Sequence, residues 1–208
     1  MKYVYKFTNG RKLTKSEFIK WFQKKFLYIN RKFKMIEKND LIGFENKGDF
    51  RGVVLQELLE MFSRKTPVEL VKLRSSKTRD IDKKLLKKES EESNLVNSSH
   101  KSRAKRGKIP NKTAIPITID IEGDKAIHIL IKGNSEKLKQ LSPVQRKIIK
   151  PLYLFSDEEV LLYAKLMKLK FRVKKEKTDE IAKFIRGLEK KHPEVKRAIV
   201  NSFLELYS

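Results

Sequence analysis

No cysteine occurs in the 208 residues. That removes disulfides, thiolate metal sites, iron–sulfur clusters and cysteine nucleophiles from the chemistry this chain can perform by itself. No apolar run approaches the length that spans a bilayer, and the start is not a secretory signal, so a soluble, cytoplasmic protein is expected. Acidic residues are few beside basic ones: 26 Asp+Glu face 50 Lys+Arg, for a net charge of +24 and a pI near 10.0. Such an excess favours a polyanionic partner, because neutralised phosphates release counterions and long-range attraction speeds encounter. RNA is the expected partner. A solvated lysine-rich surface explains part of the excess only. The length allows one sizeable core or two small ones.

Taken in order, Lys2–Phe7 alternates like a short strand and ends at the turn signal Asn9-Gly10. Thr14 and Glu17 form a capping box that opens a long helix to about Phe33. Phe18, Phe22, Phe26, Ile29 and Phe33 mark its buried stripe, and Lys20, Lys24, Lys25, Arg31 and Lys32 its basic remainder. Trp21 is read as core, with a base-stacking platform as the alternative. Leu41–Phe44 reads as a buried strand and Val53–Phe62 as an apolar helix with Val54, Leu55, Leu58, Leu59 and Phe62 facing the core. The polar loop between them is a natural place for a phosphate, since backbone donors and the helix dipole converge there. Pro67–Leu73 suggests a second strand.

From Lys72 to Lys112 apolar content falls. Asp82–Glu92 suggests a short helix, and Asn94–Lys112 carries Lys101, Arg103, Lys105, Arg106, Lys108 and Lys112 with no acidic residue from Ser93 to Ile119. This stretch buries too little surface to offset its ordering entropy, so a flexible loop is expected over about 74–112. Charge of one sign favours a cationic RNA arm over a neutral linker. Ile115, Ile117, Ile119 and Ile121 alternate like a strand. Beyond it, Ile127, Ile129 and Ile131 alternate and allow a hairpin turned at Glu122-Gly123-Asp124, while Ile127, Leu130 and Ile131 also fit one face of a helix over about 124–132; the helix is preferred only on the resemblance of "HILIKGNSEKLKQLSP" to a passage of the family named below.

Ser156 and Glu159 form a second capping box, followed by Val160, Tyr163, Ala164 and Met167 at helical spacing. Thr178–Lys191 presents Ile181, Phe184, Ile185 and Leu188, and Glu194–Leu206 presents Val195, Ile199, Phe203 and Leu206; Pro193 separates the two. The three histidines, His100, His128 and His192, are too scattered for a metal triad.

The order "KPLYLFSDEEVLLYAKLMKL" followed by "IAKFIRGLEKKHPEVKRAIVNSFLEL" resembles the C-terminal segment of the tRNA 2-thiolation proteins, a branch of the N-type ATP pyrophosphatase (PP-loop) superfamily. The resemblance covers about a third of the chain directly, and helix-"EKKHPEVK"-helix is its most distinctive part. It implies an α/β fold: a truncated PP-loop (adenine nucleotide alpha hydrolase-like) domain over 38–155, an N-terminal strand-turn-helix over 1–37, and a C-terminal helical segment over 156–208. The family's zinc ribbon is replaced by "KYVYKFTNGRKL", so no metal is expected. Its ATP loop, Ser-Gly-Gly-x-Asp-Ser, falls on Glu45, Asn46, Lys47, Gly48, Asp49 and Phe50. Only the Asp survives; both glycines that admit a pyrophosphate are gone, and Glu45 would repel one. The resemblance therefore implies a degenerate member with no catalytic residues, no cofactor and no small-molecule substrate, similar to the non-catalytic subunit of the thiolation heterodimer in a minimal, archaeal-type form. Its expected partners are tRNA and a catalytic PP-loop paralogue. Candidate phosphate contacts are Lys24, Lys25 and Arg31, then Lys101, Arg103, Lys105 and Arg106, and Arg172, Lys174 and Lys175. A stand-alone RNA-binding or ribosome-associated structural protein is the alternative.

Overall fold

The computed structural model describes residues 2–73, 109–173 and 180–207. The expected helix at Asp82–Glu92 and most of the basic arm lie outside them. At the start, β1 (Tyr3–Lys6) pairs antiparallel with β2 (Lys12–Thr14). The turn between them uses Gly10 at φ +86°, a left-handed conformation that suits glycine. The helix α1 (Lys15–Lys32) begins where the Glu17 carboxylate accepts from the Thr14 backbone N–H at 2.8 Å and its hydroxyl at 2.7 Å. Phe18, Phe22, Phe26 and Ile29 are buried along it. Trp21 packs with ring centroids 5.1 to 5.7 Å from Phe7, Phe18 and Tyr5, so it belongs to the core and is no free stacking platform.

Five strands form the main sheet, in the order β4-β3-β5-β7-β6. They are β3 (Leu41–Phe44), β4 (Glu69–Lys72), β5 (Lys112–Ala114), β6 (Val144–Gln145) and β7 (Ile148–Ile149). β4, β3, β5 and β7 run parallel, and β6 is an antiparallel edge. Between β3 and β4 runs α2 (Phe50–Ser63), with Val54, Leu55, Leu58 and Leu59 buried. A Cβ at Gly43 would lie 2.9 Å from Pro110 Cγ, so glycine lets the chain leading into β5 lie against β3. Asp40 pins that entry: it accepts from Asn111 Nδ2 at 2.9 Å and pairs with Lys112 at 2.9 Å.

After β5 come α3 (Ile119–Ile131), a short 3-10 helix (Ser135–Leu141), the β6–β7 hairpin, α4 (Asp157–Leu166), α5 (Glu180–Lys191) and α6 (Val195–Tyr207). One buried cluster joins α1, β3, α2 and α4. Phe22 sits at its centre, 4.2 Å in centroid distance from both Phe155 and Tyr163. Glu159 completes the junction: it caps α4 on the Ser156 N–H, receives the Tyr5 hydroxyl at 3.1 Å and pairs with Lys25 at 2.7 Å.

Three local expectations are corrected. The strand read over Ile115–Ile121 is not there. Ladder pairing ends at Ala114, and Thr118 then caps α3, so Ile119 and Ile121 belong to a helix. That helix, the preferred choice over a hairpin, starts five residues before Asp124. Gly123 lies inside it because α6 passes so close that a Cβ there would meet Lys196 Cβ at 2.7 Å; close packing accounts for a glycine that reads locally as a turn. On the last two helices Ile185 and Phe203 are buried, but Phe184 is 58% and Leu206 78% exposed. Ile185 is the one buried residue of α5, so the apolar stripe of that helix is only partly covered.

Candidate nucleic-acid interface

In a parallel α/β sheet, ligands bind outside the carboxyl ends of the strands where the strand order reverses. Here the chain leaves β3 for β4 on one side and returns to β5 on the other, so that point lies between β3 and β5. The loop 45–49 leads out of β3 into α2. Asn46 accepts the Gly48 N–H at 2.8 Å and donates to Gln56 at 2.8 Å, which holds Gly48 at φ +79°. Asp49 is the N-cap of α2 and accepts from the Gly52 N–H at 3.1 Å. From beyond α4, the Arg172 N–H donates to the Gly48 carbonyl at 2.7 Å, and Phe171 packs edge-on to Phe50.

The amino ends of α2, α3 and α4 meet beside this loop. Arg51 on α2 grips Asp157 on α4 with two hydrogen bonds, one of them 2.6 Å long. Thr118, the buried cap of α3, donates its hydroxyl to Asp157 at 2.7 Å. The Asp157 N–H in turn donates to Asp120 at 2.5 Å. Burial raises the Asp120 carboxyl above its usual range, with the neighbouring Asp157 charge adding to this and the Asp157 N–H opposing it. Helix N-termini would ordinarily attract an anion. Here Asp49 accepts from the start of α2, and Asp120 and Glu159 accept from the start of α4; a phosphate would also face Asp157 and Glu45, the latter buried with one oxygen unpartnered. The residues present do not fit ATP.

Nor do they fit an iron–sulfur cluster, for want of any thiol. Among the described residues no three His, Cys, Asp or Glu side chains are placed to hold a metal ion. His128 Nδ1 lies 3.1 Å from the Asp124 carbonyl, His192 is exposed at the end of α5, and His100 lies outside the described residues.

The expected phosphate contacts divide. Lys24 and Arg31 are exposed on α1, and seven residues apart they share one face, with Lys20 aligned beside them. Lys25 is corrected: its ammonium turns inward to Glu159, over the rings of Trp21 (4.9 Å) and Phe155 (4.6 Å). Burial lowers its pKa although Glu159 opposes this, and the ammonium is committed to that carboxylate. Arg172 is exposed, with its backbone closing the 45–49 loop. Lys101, Arg103, Lys105, Arg106, Lys174 and Lys175 lie outside the described residues. The Arg51–Asp157–Thr118 network joins positions far apart in sequence, and the only local signs of it were the capping Asp49 and the acidic start of α4.

No helix among the described residues is long and apolar enough to cross a membrane. No protein-family model matches the chain, and no curated protein matches it by sequence. By structure it is similar to the U34-tRNA thiolase NcsA from Methanococcus maripaludis, solved with its 4Fe-4S cluster: TM-score 0.68, 19% identity, covering 98% of this chain and 84% of that one. The chain therefore shares the α/β fold of that thiolase, with no cysteine in its sequence and with Asp49 of the loop after β3 capping α2.

Proposed function

We propose that this chain is a non-catalytic, cytoplasmic tRNA-binding subunit of a wobble-uridine 2-thiolation system, paired with a catalytic PP-loop paralogue. What supports the reading is a fold similar to a tRNA thiolase along nearly the whole chain, in a sequence without cysteine and with Asn46 and Lys47, beside Glu45, where glycines would admit a phosphate. A charge of +24 supplies what remains useful, an electrostatic hold on a polyanion. Lys24, Arg31 and Arg172, with Lys101, Arg103, Lys105, Arg106, Lys174 and Lys175, are the residues assigned to the RNA backbone. The partner supplies ATP chemistry and sulfur transfer, and this chain holds the anticodon stem-loop in place.

The test is affinity purification of the native complex from its source cells, with the bound RNA sequenced and tRNA 2-thiouridine compared with a deletion strain. Recovery of a cysteine-bearing PP-loop paralogue, together with lost wobble thiolation, supports the proposal. Ribosomal particles in the eluate with thiolation intact would overturn it in favour of a stand-alone RNA-binding protein.

A further inference from the structure

A concavity is bounded by α3, the 3-10 helix and the β6–β7 hairpin. It is an open cleft of about 1190 Å³, larger than one nucleotide. Its floor is aliphatic, made by Ile115, Ile121, Ile129, Val144 and Ile148. At the bottom, Lys150 is 2% exposed, pairs with the wholly buried Glu122 at 3.0 Å and donates to the Gln140 carbonyl at 3.1 Å. That buried pair ties α3 to the strand end and fixes the floor.

The rim is cationic. Lys132 closes α3, Lys137 and Lys139 project from the 3-10 helix, and Arg146 occupies the hairpin turn; all four are exposed, and none has a carboxylate partner among the described residues. The one lining carboxylate at the surface, Asp124, is matched by Lys196 at 2.7 Å. Arg146 has φ +49° in the two-residue turn between Gln145 and Ile148, where glycine would fit without strain. A strained arginine aimed over a cleft is a reason to look for a ligand. An apolar floor beneath cations that have no carboxylate partner among the described residues matches one kind of molecule well: a flat ring carrying phosphates, whose ring faces rest on apolar side chains while the phosphates meet the rim.

We propose that this cleft seats a nucleotide of a single-stranded RNA segment, its base on the isoleucine floor and its flanking phosphates on Lys132, Lys137, Lys139 and Arg146. The inference rests on the RNA-binding reading above and names the place. Aliphatic contacts and phosphate contacts carry no base-edge recognition, so binding here is tolerant of sequence.

The test uses the full chain and tRNA bearing 4-thiouridine in its unpaired loops. After irradiation, cross-linked peptides are expected from 115–150. In parallel, the K132A/K137A/K139A/R146A variant is expected to lose about tenfold or more in tRNA affinity near 0.15 M salt, and a charge-matched K6A/K65A/K183A/K190A control less than about threefold. Cross-links confined elsewhere, or equal losses in both variants, overturn the cleft and leave the RNA reading standing. No tRNA binding by the native chain overturns both. Adenosine monophosphate displacing the RNA at a similar concentration would make a free nucleotide the ligand and overturn the RNA assignment.

Discussion

The crevice beyond β3 and the cleft beside α3 handle charge in opposite ways. In the crevice Asp49 and Asp120 hold backbone donors at the starts of α2 and α4, and Asp157 takes up Arg51 and the Thr118 hydroxyl. Around the cleft the cations of the rim stand without carboxylates among the described residues, over an apolar floor. A net charge of +24 alone does not locate a polyanion; the placement of internal ion pairs does. Where acids are built in, an anion is rejected, and where they are withheld, one is invited.

The largest effect is expected at the cleft floor. Lys150→Met leaves the buried Glu122 with only the half-exposed Lys125, at 3.3 Å, and a loss of about 2–4 kcal/mol in a denaturant titration is expected, less than for a wholly uncompensated buried charge. The double variant Lys150→Met/Glu122→Gln should recover much of it; an additive loss would show that the pair is not the cause. A smaller effect is expected at the crevice. Arg51→Met removes the clamp on Asp157, which is partly exposed at 28%, so about 1–3 kcal/mol is expected, discounted for solvent screening. Little change in the thermal midpoint would mean that the three helix starts are held by other interactions.

Sharper still is a variant that should leave the fold alone. Replacing the four rim cations by alanine should change stability by less than about 0.5 kcal/mol. It should also flatten the dependence of log affinity on log salt by about 0.7 for each phosphate no longer neutralised. An unchanged slope would remove the rim from the interface.

The smallest effect concerns the β3–β5 entry. Burial tends to raise the Asp40 carboxyl, but the Glu37 N–H, Lys112 and Asn111 outweigh it and hold the group below its ordinary value of 3.8. A carboxyl lowered on folding contributes stability that is present above its unfolded pKa and lost as pH falls through the folded one. Asp40→Asn should therefore make the acid limb of the pH–stability curve shallower; an unaltered limb would deny Asp40 that role.

The elements easiest to read in the sequence were those with a local chemical signature. Thr14 with Glu17 and Ser156 with Glu159 set the starts of α1 and α4. Ile115–Ile121 misled because alternating isoleucines satisfy a strand period even when Thr118 turns the chain into a helix to reach Asp157. Gly123 misled because a glycine required by a neighbouring helix looks like a turn. Lys25 looked like the lysines around it; its inward direction depends on Glu159, 134 positions away. The cleft was illegible for a similar reason, since its floor gathers side chains from three elements.

The most direct measurement is dual-label retention: tRNA and ATP carrying different labels, incubated with the purified chain and magnesium, and the retained label counted across salt concentrations. The expected result is tRNA retention that falls as salt rises, with no saturable ATP retention at any salt. Saturable ATP binding, or tRNA retention indifferent to salt, would contradict a degenerate loop and an electrostatic hold on RNA.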